Sequence, residues 1–186
     1  MTRVIGLCGS IGAGKGAVSE YLIEKYGFIQ LTVGDVVREH LAKIGMEPTR
    51  DNSVKISEEM RQKYGITYWI QKLVDKIKSE NIDKVIVDGV RLPSDTELLE
   101  QSFGENYALF KVDASPEIRF ERLKTRARPG FPKTLEEFFV HENRENKIFN
   151  LDVTFKLAKE IIDNSTSLED LHERVDKIAK KYPKLF

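Results

Sequence analysis

Seven residues near the start of the chain carry the clearest chemistry. Gly9-Ser10-Ile11-Gly12-Ala13-Gly14-Lys15 fits G-x-x-x-x-G-K, with the apolar run Val4–Cys8 before it and helical spacing after it. Glycines let such a segment curl until its amide N–H groups converge on an anion, and a helix opening there adds partial positive charge. Lys15 can then reach a terminal phosphate. The candidate phosphate cradle is Gly9, Ser10, Ile11, Gly12, Ala13, Gly14, Lys15, Gly16 and Ala17. Gly16 and Ala17 stand where most such loops place a Ser or Thr hydroxyl for Mg²⁺. Magnesium is therefore expected to rest mainly on the nucleotide's own oxygens and on waters.

A second group is acidic and guanidinium-bearing. Val85-Ile86-Val87-Asp88 is an apolar run ending in a carboxylate, the type of group that orients a metal-bound water beside a phosphate loop. It continues as Gly89-Val90-Arg91, and the earlier segment Gly34-Asp35-Val36-Val37-Arg38 also joins an acid to an arginine. Asp35 either takes a proton from a hydroxyl acceptor or caps the helix that follows it. Arg122 and Arg126 are four apart and share one helical face.

These segments together resemble the nucleoside monophosphate kinases, adenylate kinase above all, and the dephospho-coenzyme A kinases. The resemblance covers nearly the whole chain. It implies ATP with Mg²⁺ as donor, Arg38 and Arg91 as ligands of the acceptor's phosphate, and Asp88 as the metal's partner through water. Arg122, Arg126 and Arg144 would reach the nucleotide and the moving phosphoryl. Asn164, in Asp163-Asn164-Ser165-Thr166-Ser167, would sit in the loop against adenine. The segment Gly89–Arg91 is one residue shorter than the adenylate kinase form. The expected reaction is ATP-dependent transfer to a nucleoside or deoxynucleoside monophosphate. The alternatives are phosphorylation of the 3′-hydroxyl of dephospho-coenzyme A, and a slow ATPase acting as a switch or assembly factor. A GTPase is disfavoured, because Asn146-Lys147-Ile148-Phe149 lacks the aspartate of N-K-x-D.

The elements that must position these groups follow from periodicity. Strands are expected at Val4–Cys8, Phe28–Val33, Lys84–Val87, Ala108–Val112 and Ile161-Ile162. Helices are expected at Ala17–Tyr26, Val36–Ile44, Val54–Tyr64, Thr67–Glu80, Pro116–Arg126, Leu135–Glu145 and Leu168–Lys181. The alternation predicts an α/β protein, three layers deep, with a mainly parallel five-stranded sheet. One domain is expected over residues 1–186. Its core would comprise residues 1–33, 82–126 and 151–186, with a helical acceptor-binding insertion at about 34–81. A lid is expected at about 127–150, introduced by the break Pro129-Gly130-Phe131-Pro132.

Composition removes other classes. The 186 residues carry 30 Lys+Arg against 30 Asp+Glu, a formal net charge of zero, which argues against a dedicated nucleic-acid-binding domain. The single cysteine forbids a disulfide framework, and the three histidines are scattered without ligand spacing. No apolar stretch approaches membrane-spanning length, so a cytoplasmic protein is expected; the partner that the resemblance implies is a small nucleotide acceptor.

Overall fold

The computed structural model describes residues 1–126 and 132–186, apart from the Arg50 side chain. The expected break at Pro129–Phe131, and with it the start of the expected lid, lies outside the described residues.

Five strands, β1 (Arg3–Cys8), β2 (Ile29–Thr32), β3 (Lys84–Asp88), β4 (Tyr107–Asp113) and β5 (Glu160–Asp163), form one sheet in the order β2-β3-β1-β4-β5. Every pairing is parallel. The chain therefore doubles back between β1 and its two neighbours, and the crevice at the carboxyl ends of β1, β3 and β4 is where such sheets bind ligands. Register sets the key groups side by side: Leu7 pairs with Asp88, which in turn pairs with Thr32.

Side chains alternate across β1. Ile5 and Leu7 point to one face, with Val18 and Leu22 of α1 (Lys15–Tyr26) and Leu171 and Val175 of α9 (Leu168–Lys181). Val4 and Cys8 point to the other, with Trp69, Leu73 and Ile77 of α4 (Tyr68–Ser79) and Leu99 of α5 (Pro93–Phe103). Both layers bury their apolar stripes fully, which makes the three-layer arrangement obligatory. Cys8 is buried at the end of β1, and burial pushes its thiol up to about 12.

Two helices lie over the carboxyl edge, α2 (Val33–Lys43) and α3 (Arg50–Tyr64). The sequence pattern starts α2 at Val36, but Thr32 caps it earlier. The Thr32 hydroxyl accepts from the Asp35 amide while the Asp35 carboxylate accepts from the Thr32 amide. Likewise α3 begins at the Thr49 cap, five residues ahead of its first apolar residue, Val54. Helix α5 is a difference of kind, since the stretch after Arg91 carries no expected element. Pro93 at its first turn and Asp95 accepting from the Leu92 amide start it, and buried Leu99 anchors it.

Beyond β4 come α6 (Pro116–Arg126), α7 (Leu135–Phe149) and the short α8 (Leu151–Lys156). Helix α7 runs past the expected end at Glu145 and stops at Asn150, whose φ of 52° breaks the helical path. Among the described residues no helix is long and apolar enough to cross a membrane.

Candidate active site

The turn from β1 into α1 forms a cradle whose tightness is enforced from behind. Gly12 has φ 81°, and a Cβ there would stand 2.6 Å from the Arg119 carbonyl oxygen. Gly14 has φ 94°, and a Cβ there would land on Asn164 Nδ2. Both positions need glycine for conformation and for space. Asn164 is 5% exposed and donates from Nδ2 to the Ala13 carbonyl at 2.9 Å. Arg122 donates to the same carbonyl at 3.3 Å and to the Asn164 carbonyl at 2.7 Å. Two side chains from separate elements thus hold the back of the loop. Ser10 contributes its carbonyl to the Ala13 amide at 3.1 Å, closing the turn.

Lys15 opens α1 and donates from Nζ to the Gly9 carbonyl at 2.8 Å. Burial pulls its ammonium below the ordinary lysine value, and Asp88 opposes that pull. Asp88 closes β3. Burial pushes its carboxyl up against the counter-influence of Lys15, the Gly89 amide and Arg91. Its Oδ2 accepts from Gln30 at 2.9 Å, and its Oδ1 is buried with no partner among the described residues.

Two large cavities flank the loop. One of about 700 Å³ is lined by Gly14, Ala17, Ile118, Arg122, Arg126 and Asn164. The other, about 620 Å³, opens on the far side of Lys15 beneath α2 and α3. Four cations face it, Lys15, Arg38, Arg61 and Arg91, against the carboxylates Asp88, Asp95 and Glu58. Its apolar wall is Val33, Val37, Val54, Ile148 and Phe149. Between them a small cavity of about 110 Å³ is bounded by Gly9, Ile11, Lys15, Arg91 and Glu145.

The residues expected from sequence divide as follows. Lys15, Asp88, Arg38 and Arg91 meet at the second cavity, and Arg122, Arg126 and Asn164 meet at the first. The Arg91 guanidinium lies 5.0 Å from the Phe149 ring centre, and its carbonyl accepts from buried Thr154 at 2.8 Å. Gly16 is exposed, with open space where a Cβ would stand. Asp35 spends Oδ2 on the Thr32 amide (2.7 Å) and hydroxyl (2.8 Å), and Oδ1 on Arg38 at 2.5 Å. Burial raises its carboxyl, but these bonds outweigh it and hold the group below its ordinary value. Arg144 is the exception: it sits on the exposed face of α7 and lines none of the three cavities, whereas its neighbour Glu145 does.

Three contributors lack a sequence motif. Arg119 is 5% exposed, donates to the Ala114 carbonyl at 3.0 Å and the Ile11 carbonyl at 3.4 Å, and pairs with Glu142 of α7. Its guanidinium lies 5.1 Å from the ring centre of fully buried Phe138. Arg61 and Asp95 enter the second cavity from α3 and α5. Helical spacing alone could have flagged Arg119, three residues ahead of Arg122 on the same helix.

The loop, the parallel sheet and the paired cavities define a kinase-like fold of the P-loop class. Solved structures share it. A shikimate kinase from Bacteroides thetaiotaomicron is 15% identical, matching 97% of this chain and 98% of its own with a TM-score of 0.60. A gluconokinase from Sinorhizobium meliloti 1021 is 17% identical, over 96% and 94%, with a TM-score of 0.58. A family model described as an AAA domain matches residues 5–150. The chain belongs to the UPF0200 family: a UPF0200 protein of Hyperthermus butylicus is 32% identical over 96% of this chain and 94% of its own length. A UPF0200/UPF0201 protein of Archaeoglobus fulgidus is 30% identical over 98% of this chain, which spans only 56% of that longer relative.

Proposed function

We propose that the protein is an ATP-dependent kinase whose acceptor is a nucleoside monophosphate. The observation that carries this reading is the contrast between Asp35, tied up at the start of α2, and the cations that line the second cavity. A hydroxyl acceptor calls for a carboxylate free to take a proton. Asp35, the acid expected in that role, is committed on both oxygens to Thr32 and Arg38, and its lowered basicity suits a cap. Four cations facing one cavity suit an acceptor that is already an anion.

In this reading the loop amides and Lys15 hold the donor's phosphates, and the first cavity takes its adenosine. An oxygen of the acceptor phosphate bonds to the γ-phosphorus as the bond from that phosphorus to the bridging oxygen breaks, and ADP departs. Positioning and charge do most of the work. Arg38 and Arg91 hold the acceptor anion while Lys15 meets charge on the moving phosphoryl. The buried Oδ1 of Asp88, unpartnered among the described residues, fits a metal-bound water, and Gly16 offers no hydroxyl, so Mg²⁺ would be held by Asp88 through water and by the nucleotide. Bound there, Mg²⁺ supplies charge neutralisation at the phosphates.

The test is ADP release with a panel of acceptors. Release that depends on a monophosphate, and is lost in Lys15→Met with unchanged thermal unfolding, supports the reading. Release that is indifferent to acceptor makes the protein an ATPase, and release that needs a hydroxyl compound without phosphate overturns the acceptor class.

A further inference from the structure

Resting on that acceptor reading, we propose that α3 selects the sugar of the acceptor. Arg61 grips the phosphate end, and Glu58 with Ser57 binds the ribose hydroxyls, so ribonucleotides are taken in preference to their 2′-deoxy counterparts.

Ser53, Val54, Ser57, Glu58 and Arg61 recur at spacings of three and four, which is one face of a helix. All five line the cavity of about 620 Å³. Two contacts hold α3 in place: Ile56, on the other side, is buried in the core, and the Ser57 backbone carbonyl accepts from Trp69 Nε1 at 3.2 Å. A stripe of two hydroxyls, a carboxylate and a guanidinium turned toward a cavity is a hydrogen-bonding surface and buries little apolar area.

The direction of reading along α3 is set at one end. Arg61 lines the cavity together with Arg91, Asp95, Asp88 and Lys15 of the phosphate side, and Arg61 and Arg91 both hold the Asp95 carboxyl down against its burial. The Arg61 end of α3 is therefore the phosphate end. Arg61 Nε is buried with no partner among the described residues, a donor in want of an acceptor. From there the stripe runs back about 12 Å to Ser53, at a rise of 1.5 Å per residue. Glu58 and Ser57 lie about one turn from Arg61, at the level of the sugar, and Val54 lies beyond, against the base. Ser53 spends its one donor on the Thr49 carbonyl at 2.7 Å and is left an acceptor only.

The chemistry selects hydroxyls. An ionised carboxylate only accepts hydrogen bonds, and a serine hydroxyl can donate or accept. Two vicinal hydroxyls satisfy that pair, and a 2′-deoxy sugar leaves one bond unmade. The wall beyond is apolar, through Val33, Val37 and Val54, so the base is held by contact more than by pattern.

The experiment is calorimetric titration of the full chain with AMP, GMP, CMP and UMP and their 2′-deoxy counterparts. Wild type is expected to bind the ribo form about tenfold more tightly, the size of one hydrogen bond to a charged group at a partly exposed site. In Glu58→Ala, which removes the partner of the 2′-hydroxyl, the ratio falls to about one through loss on the ribo side alone, and Ser57→Ala, at the 3′-hydroxyl, weakens both sugars alike. Arg61→Ala weakens both sugars about tenfold or more and leaves the ratio unchanged. A wild type that binds both sugars equally, or a ratio untouched by Glu58→Ala, overturns sugar selection while leaving the acceptor class standing. Failure to bind any monophosphate overturns the acceptor class and this inference with it. Unchanged circular dichroism checks each variant's fold, and Arg61→Ala, on the same helix with its ratio unchanged, controls for loosening of α3.

Discussion

Arg119 and Glu142 meet across the boundary between α6 and α7, and the guanidinium nitrogen that meets the carboxylate also donates to the Ile11 carbonyl at 3.4 Å. One buried side chain thus links the phosphate-binding loop to the helix beside it.

Arg119→Met is expected to cost about 3 kcal/mol, the low end of the range for breaking a buried pair, because the Glu142 side chain keeps 23% of its surface in solvent. Adding Glu142→Gln to it should cost little more, since the stranded carboxylate is what hurts. Urea unfolding of the two single variants and the double variant measures this, and strictly additive losses would show that the two residues are uncoupled.

Gly16→Ser should be tolerated, because the new Cβ meets nothing within 4 Å. Serine is also the better helix former, by a few tenths of a kcal/mol. The added hydroxyl stands where such loops usually present one, so nucleotide binding should need less Mg²⁺. Titrating Mg²⁺ against fluorescent-nucleotide binding reads the shift, and an unchanged midpoint would count against a metal at this position.

Asp95 gives a pH signature. Burial raises its carboxyl above the ordinary 3.8, despite the Leu92 amide and the nearby Arg61. Between the ordinary and the raised value the folded chain holds more protons than the unfolded chain, so stability falls as pH rises through that window. Asp95→Asn removes that slope. The variant should be more stable than wild type at pH 7, and the gain should vanish at low pH, where wild-type Asp95 is protonated too. Thermal unfolding across pH, without nucleotide, tests the sign.

Asp35 and Arg38 should separate stability from acceptor use. Asp35→Asn weakens the capping box at Thr32 and is expected to cost about 1 kcal/mol of stability with little change in kcat. Arg38→Ala should raise the acceptor KM about ten- to hundredfold and leave ATP binding nearly unchanged. A collapse of kcat in Asp35→Asn would instead point to a hydroxyl acceptor.

The sheet and the loop were legible because their signals are local. Val4–Cys8 and Val85–Val87 are continuous apolar runs, and the glycines between Gly9 and Gly14 carry their meaning in spacing. Thr32 was harder to read as a helix start, because its capping box sits inside what looks like a strand ending at Val33. Helix α5 escaped because its first turn, Pro93-Ser94-Asp95, reads as a turn, and its anchor Leu99 needs the sheet to show which face is buried. Arg119 and Arg61 read as solvated helix arginines, and Glu145 carried no signal, for another reason. An arginine or glutamate on a helix looks solvated until its neighbour from a distant segment is known. Glu142 lies 23 residues beyond Arg119, a pairing no local pattern announces.

Cys8 has a practical consequence. The chain carries one thiol, sealed at the end of β1 with its ionisation suppressed by burial. Thiol-directed reagents act on the thiolate, so the native protein should stay unlabelled and react only as the sheet opens. The rate of modification then becomes a clock for unfolding at the floor of the loop. A cysteine introduced on α3 or α7 could be tagged in the wild-type background, without first replacing the natural one, to follow those helices as nucleotides bind.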